Sequence, residues 1–277
     1  MSPMKAIVKK GLRCLGIEVR RAARTPTDTL SVKRDSLEGL LSQVQKLGFS
    51  PATVIDVGAA SGTFSNQCHQ VFPKATYLLI EPLQEFLSPL KRLLKTIPQA
   101  HCENAAASSY EGSIRLNVHH DLVGSSLYNE VEEGTDINGT PREVRTVTVD
   151  GIVARREARP PYLIKIDVQG AELDVLRGAE NALKHTEYIL LEVSLFQFFK
   201  NGPSFSDVVA YMKGKGFVPY DLYELQYRPL DAALAQVDIA FVREAGDFRK
   251  THAYAKPEQR AEQNRRFLSY LRRLCQG

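Results

Sequence analysis

The chain has 277 residues, 43% hydrophobic and 25% charged, enough for one well-buried domain with extensions or for two small domains. It contains no run of about 18 apolar residues, which excludes a membrane-spanning helix, and its basic start lacks the continuous apolar centre of a secretory signal, so a cytoplasmic protein is expected. The net charge of +4 is unevenly spread: nine Lys/Arg against two Asp/Glu over residues 1–34 (+7), eight against two over 249–277 (+6), and 19 against 28 between them (−9).

Taken in chain order, residues 1–35 read as a basic helical extension, with Met4, Val8, Leu12 and Leu15 on one stripe. A helical pattern over 36–47 is ended by Gly48 and Pro51. Residues 53–57 read as a buried strand, followed by a Gly/Ala-rich turn and a helix over 64–72. A strand over 77–80, a helix over 84–94, and strands over 101–107 and 113–118 come next. Residues 121–145, rich in Gly, Ser, Asn and Glu, form the one long irregular stretch; a loop of that length in a compact domain is usually functional or disordered. A strand over 162–166, a helix over 172–183 and a strand over 188–193 resume the alternation. Two late strands, 216–220 and 238–242, have no clear helix between them and are expected to pair antiparallel. The spacing therefore predicts an α/β domain over 36–248, a mostly parallel sheet with helices on both faces, and a basic C-terminal helix over 249–277.

The four cysteines, Cys14, Cys68, Cys102 and Cys275, are scattered and form no CxxC pair, which fits reduced thiols. The basic ends are either solvated helices or surfaces for an anionic partner, with peripheral contact at the inner face of a membrane among the expectations. The acidic body argues against nucleic acid. The sequence leaves the oligomeric state open.

Chemistry concentrates at predicted strand ends. Asp56-x-Gly58-x-x-x-Gly62 marks a strand-to-helix turn where a backbone without Cβ atoms can approach a ligand, with Ala59 inside it. The carboxylate of Asp56 and the missing third glycine disfavour a pyrophosphate and fit a cationic amino group. Glu81 ends the next strand, where an acid can accept two ribose hydroxyls. Lys165-Ile-Asp167-Val-Gln-Gly170-Ala-Glu172 places further carboxylates at a central strand end, and Glu192 ends the strand after it. Asp167 is a candidate base, as are His119 and His120. Glu172 either meets a substrate or stabilises a helix N-terminus. Ser125, Ser126 and Tyr128 are candidate contacts for a polyhydroxylated acceptor. Asp167 and Glu192 are too few to specify a metal, and none is expected.

The segments Asp56-Val-Gly-Ala-Ala-Ser-Gly-Thr-Phe-Ser65, Ile80-Glu-Pro82, Asn104-Ala-Ala106, Lys165 to Ala179, Leu191-Glu-Val193 and Asp238-Ile-Ala-Phe-Val242 resemble the FkbM family of methyltransferases. The resemblance covers roughly residues 50–243. The chain departs from the family at Ala60, where Asn is frequent, and at Gln169, where Glu is common. The resemblance implies a class I methyltransferase (Rossmann-like) fold whose last strand runs antiparallel, and methyl transfer from S-adenosylmethionine to a hydroxyl of a sugar, glycan or polyketide-type product. It also implies that Asp56, Gly58 and Gly62 hold the methionine part, Glu81 the ribose, and that Asn104 and Ala105 lie near the adenine. Two alternatives stay open: an NAD-dependent oxidoreductase, and a non-catalytic binding module with the same fold.

Overall fold

A computed structural model of the chain describes residues 33–275. The N-terminal extension expected over 1–35 therefore falls almost wholly outside the described residues. From Arg34 onward the elements are α1 (Leu37–Lys46), β1 (Thr53–Val57), α2 (Thr63–Val71), β2 (Thr76–Ile80), α3 (Leu87–Thr96), β3 (Ala100–Glu103), β4 (Ala106–Ala107), β5 (Gly112–Val118), α4 (Thr135–Asn138), β6 (Thr140–Val147), α5 (Val149–Arg155), β7 (Tyr162–Ile166), α6 (Glu172–Arg177), α7 (Glu180–Leu183), β8 (Thr186–Ser194), α8 (Phe205–Gly214), β9 (Phe217–Tyr227), β10 (Leu234–Arg243) and α9 (Pro257–Cys275).

Seven strands form one sheet in the order β3-β2-β1-β7-β8-β10-β9. β3, β2, β1, β7 and β8 run parallel, and β10 lies antiparallel between β8 and β9. This is the class I methyltransferase sheet expected from the sequence, antiparallel strand included. Successive strand residues point to opposite faces. Ile55, Val57, Ile164 and Ile166 thus enter one apolar cluster with α6, α7 and α8, while Val54, Leu79, Leu163 and Leu190 enter another with α1 and α2. Covering both faces is what allows a parallel strand as apolar as β2, Thr-Tyr-Leu-Leu-Ile. α1 is started by Ser36, whose hydroxyl accepts from Gly39 N–H at 3.2 Å, and it buries Leu37, Leu40, Leu41 and Val44.

Three readings are corrected. Residues 101–107 are not one strand: β3 ends at Glu103, and β4 joins a separate three-stranded sheet, β4-β6-β5. The chain turns there because the Asn104 side-chain amide donates to the carbonyls of Glu81 and Pro82 at 2.9 and 3.0 Å. The irregular stretch is shorter than 121–145, since Thr140 to Arg145 belong to β6 and pair with β5. Finally, the helix read over 172–183 is two, α6 and α7, separated at Gly178, where a Cβ would stand 2.1 Å from the Ser108 carbonyl oxygen.

Candidate active site

The parallel strands deliver their carboxyl ends to one edge, and the strand order reverses beside β1, between β2 and β7. Open α/β sheets bind ligands at such a point. A cavity of about 640 Å³ opens there, a size ordinary for a small-molecule site.

Its first part is apolar. Leu83, Phe86, Ala106, Ala107, Leu116 and Leu127 line a slot beneath the three-stranded sheet. Glu81 borders the slot and is only 4% exposed. One of its carboxylate oxygens accepts from Ala60 N–H and the other from Leu83 N–H, each at 2.8 Å. Burial pushes its carboxyl up, against those two hydrogen bonds. A carboxylate has about four acceptor positions, so two remain for a ligand.

The middle of the cavity is the loop after β1, with Gly58, Ala59, Ala60 and Ser61 on its wall. Gly58 has φ +73°, and a Cβ there would stand 1.8 Å from the Asp167 carbonyl oxygen. The loop can lie against the end of β7 only with glycine at this position. Gly62 is also left-handed, at φ +82°, but it backs onto Leu90 and Leu93, not onto the cavity.

The far end is polar: Lys165, Asp167, Gln169, Glu192, Tyr223, Gln226, Gln236 and Asp238 all line it. Lys165 Nζ lies 3.1 Å from Asp167 and 3.8 Å from Asp56, and it donates to the Gly58 carbonyl at 3.2 Å. Burial works against this ammonium, but Asp167 and Asp56 outweigh it and hold its pKa above the ordinary value. Glu192 accepts from three glutamine amides, Gln169 at 2.7 Å, Gln236 at 3.0 Å and Gln226 at 3.1 Å. Burial, reinforced by Asp167 and Asp238, nonetheless raises its carboxyl. Asp238 sits opposite Glu192 in the β8–β10 register and is pushed up to about 7 by burial, then by Asp167 and Glu224. Three carboxylates thus share this end of the cavity with one lysine.

Of the residues singled out in the sequence, Gly58, Ala59, Glu81, Ser125, Asp167 and Glu192 line the cavity. The others do not. Asp56 is fully enclosed, accepting from Ser65 Oγ at 2.7 Å and facing Lys165, and it is Lys165 that lines the cavity there. Asn104 spends its amide on the β2 terminus and Ala105 is buried in the core, leaving Ala106 and Ala107 on the wall. His119 turns to Glu130, 3.8 Å away, and His120 is exposed off the cavity, so neither is placed as a base. Ser126 donates to the Gln169 carbonyl at 2.6 Å and Tyr128 to Asp174 at 2.5 Å; both pin the loop instead of facing an acceptor. Glu172 accepts from Gly170 N–H at 3.0 Å inside its own turn, the role of a helix-start acid. Lys165 was missed, although a lone charge in the strand Tyr162-Leu-Ile-Lys-Ile166, two residues before Asp167 and so on its side of the sheet, was a usable signal. Gln226 and Gln236 gave none, because only the register of the β9–β10 pair brings them to Glu192.

A family model described as the methyltransferase FkbM domain matches residues 56–219. A stretch of 50 residues is 36% identical to hexuronic acid methyltransferase AglP of Haloferax volcanii, spanning 18% of this chain and only 21% of that protein. The 2-O-methyltransferase NoeI of Sinorhizobium fredii is 26% identical over 188 residues, covering 64% of this chain and 74% of the relative. Methyltransferase 1 of Beauveria bassiana is 24% identical over 183 residues, covering 59% and 71%.

Proposed function

The chain belongs to the FkbM methyltransferase family, and from that premise we propose that it transfers a methyl group from S-adenosylmethionine to a hydroxyl oxygen of a sugar or glycan. The observation that carries this reading is a single cavity with two chemically opposite ends, joined at Gly58 and bordered by Glu81. An apolar slot beside a carboxylate with spare acceptor positions fits an adenosine, and glycine at position 58 lets the loop after β1 lie against the end of β7 on the cavity wall. When bound, S-adenosylmethionine supplies a methyl already activated on a sulfonium. The protein's share is to align the acceptor and take its proton. An NAD reading is disfavoured at the loop after β1, which lacks the third glycine of a pyrophosphate-binding turn.

The polar end offers amide donors and carboxylate acceptors together, a set matched to hydroxyls, which both donate and accept. Two relatives, a hexuronic acid methyltransferase and a 2-O-methyltransferase, support this acceptor class. Asp167 is the proton acceptor in this reading: it is partly exposed to the cavity, Lys165 pairs with it at 3.1 Å, and Gln169 orients it at 3.0 Å. Calorimetry with S-adenosylhomocysteine and NAD side by side tests the cofactor; binding of NAD alone sinks the proposal. Asp167→Asn should lower turnover by about 100-fold or more while S-adenosylhomocysteine affinity stays within a few-fold. Full turnover by that variant removes Asp167 from the role.

A further inference from the structure

Helix α9 runs for 19 residues, Pro257–Cys275, and buries none of them. A helix of that length held only by its own hydrogen bonds is marginal in water, and helices usually gain their stability by covering an apolar face. That face exists. Phe267, Leu268, Leu271 and Leu274, spaced one, four and seven residues from Phe267, share one side of the helix and are 60%, 53%, 38% and 59% exposed. Arg265, Arg266, Arg272 and Arg273 occupy the other side. Glu262 neutralises part of this charge by pairing with Arg265 at 2.5 Å and Arg266 at 2.8 Å. Arg272 and Arg273 form no ion pair among the described residues. The segment 249–277 carries +6 in a chain whose middle carries −9.

Two properties choose the partner. An acidic protein surface would satisfy the arginines and leave the leucines in water; a purely apolar surface would do the reverse. An anionic bilayer interface takes both, with phosphates at the headgroup level and acyl chains beneath. No helix among the described residues is long and apolar enough to cross a membrane, so α9 would lie in the interface plane. We propose that α9 is an interfacial anchor whose Phe267, Leu271 and Leu274 enter the headgroup boundary of an anionic membrane while Arg272 and Arg273 meet lipid phosphates. This holds whichever hydroxyl the cavity methylates.

The test is sedimentation of the full chain with vesicles of equal parts phosphatidylglycerol and phosphatidylcholine, against phosphatidylcholine alone, in low salt. Wild type should bind the anionic vesicles and not the neutral ones. A Phe267→Ser, Leu271→Ser double variant keeps every charge, and an Arg272→Gln, Arg273→Gln variant keeps the apolar face; each should weaken binding by roughly tenfold or more. Both should retain the wild-type melting midpoint and S-adenosylhomocysteine affinity, which separates this result from any failure of the methyltransferase reading. The proposal is overturned if wild type ignores anionic vesicles, if neutral vesicles bind it equally, or if both variants bind like wild type. A wild-type dimer that the double serine variant turns into monomers, without vesicle binding, assigns the face to a second copy and overturns it as well.

Discussion

At Gly58 the backbone conformation and the neighbouring atoms agree on one residue. A Gly58→Ala change adds a Cβ 1.8 Å from the Asp167 carbonyl at φ +73°, so the loop must retreat from β7. The strained φ alone is worth about 1 kcal/mol or more. We expect a lower melting midpoint together with a loss of S-adenosylhomocysteine affinity of about tenfold or more; calorimetry showing wild-type affinity would remove Gly58 from the cofactor wall. Glu172 makes a different kind of prediction. Burial pushes it up to about 7 from an ordinary 4.5. The folded chain therefore keeps a proton that the unfolded chain releases, and this favours the fold fully below about pH 4.5 and is lost as pH rises through 7. Melting midpoints should fall between pH 5 and 8, and Glu172→Gln, which keeps an oxygen for Gly170 N–H, should remove on the order of 3 kcal/mol of that pH-dependent loss. An unchanged slope would place the titration elsewhere, with Asp238 the next group to examine. Glycines that force a turn were readable from the sequence alone. Which of Asp56 and Lys165 reaches the cavity wall was not, because that depends on how deep each side chain sits across the β1–β7 pair.

The second sheet shows which contacts fasten an element to the domain. Arg142 reaches Glu85 through two hydrogen bonds, at 2.7 and 2.9 Å, and pulls that carboxyl down to about 2. Both side chains are well exposed, 41% and 36%, so solvent screens the pair. Leu116 instead is 4% exposed and packs with Leu83, Ala106, Val118 and Val144 over the apolar slot. Arg142→Ala should thus shift stability by less than about 1 kcal/mol, while Leu116→Ala should lower it by about 2–4 kcal/mol and weaken S-adenosylhomocysteine binding. Denaturant titration of the two variants checks this; a larger effect from Arg142→Ala would reverse the assignment. The same contrast explains legibility. β1, β2, β7 and β8 were readable as strands because burial on both faces makes them mostly apolar runs, interrupted only by single charges such as Asp56 and Lys165. β6, Thr-Pro-Arg-Glu-Val-Arg-Thr-Val, turns Arg142, Glu143 and Arg145 outward and carries Pro141, so its composition looks like a loop. No local signal says that Ala106 and Ala107 leave the first sheet for the second.

For the molecule as a whole, charge and packing divide the chain differently. Composition sets two basic ends against an acidic middle, and for the C-terminal end the structure adds that the basic helix contributes nothing to the core. The cavity wall draws on residues between Leu37 and Asp238, so none of it comes from α9. Ending the chain after residue 250 should therefore leave the melting midpoint within about 2 °C of wild type and S-adenosylhomocysteine affinity unchanged. A large drop would mean that α9 is covered by the body. If the midpoint holds, the apolar stripe of α9 is maintained for a contact outside the fold, and ionic strength then distinguishes the forces in that contact. Attraction between arginines and lipid phosphates is screened over about 8 Å at physiological salt, whereas burial of Phe267 and Leu271 is not. Vesicle binding by the full chain should accordingly weaken but persist as salt rises. Complete loss at physiological salt would mean that the arginines act without the apolar face, and binding indifferent to salt would mean the reverse.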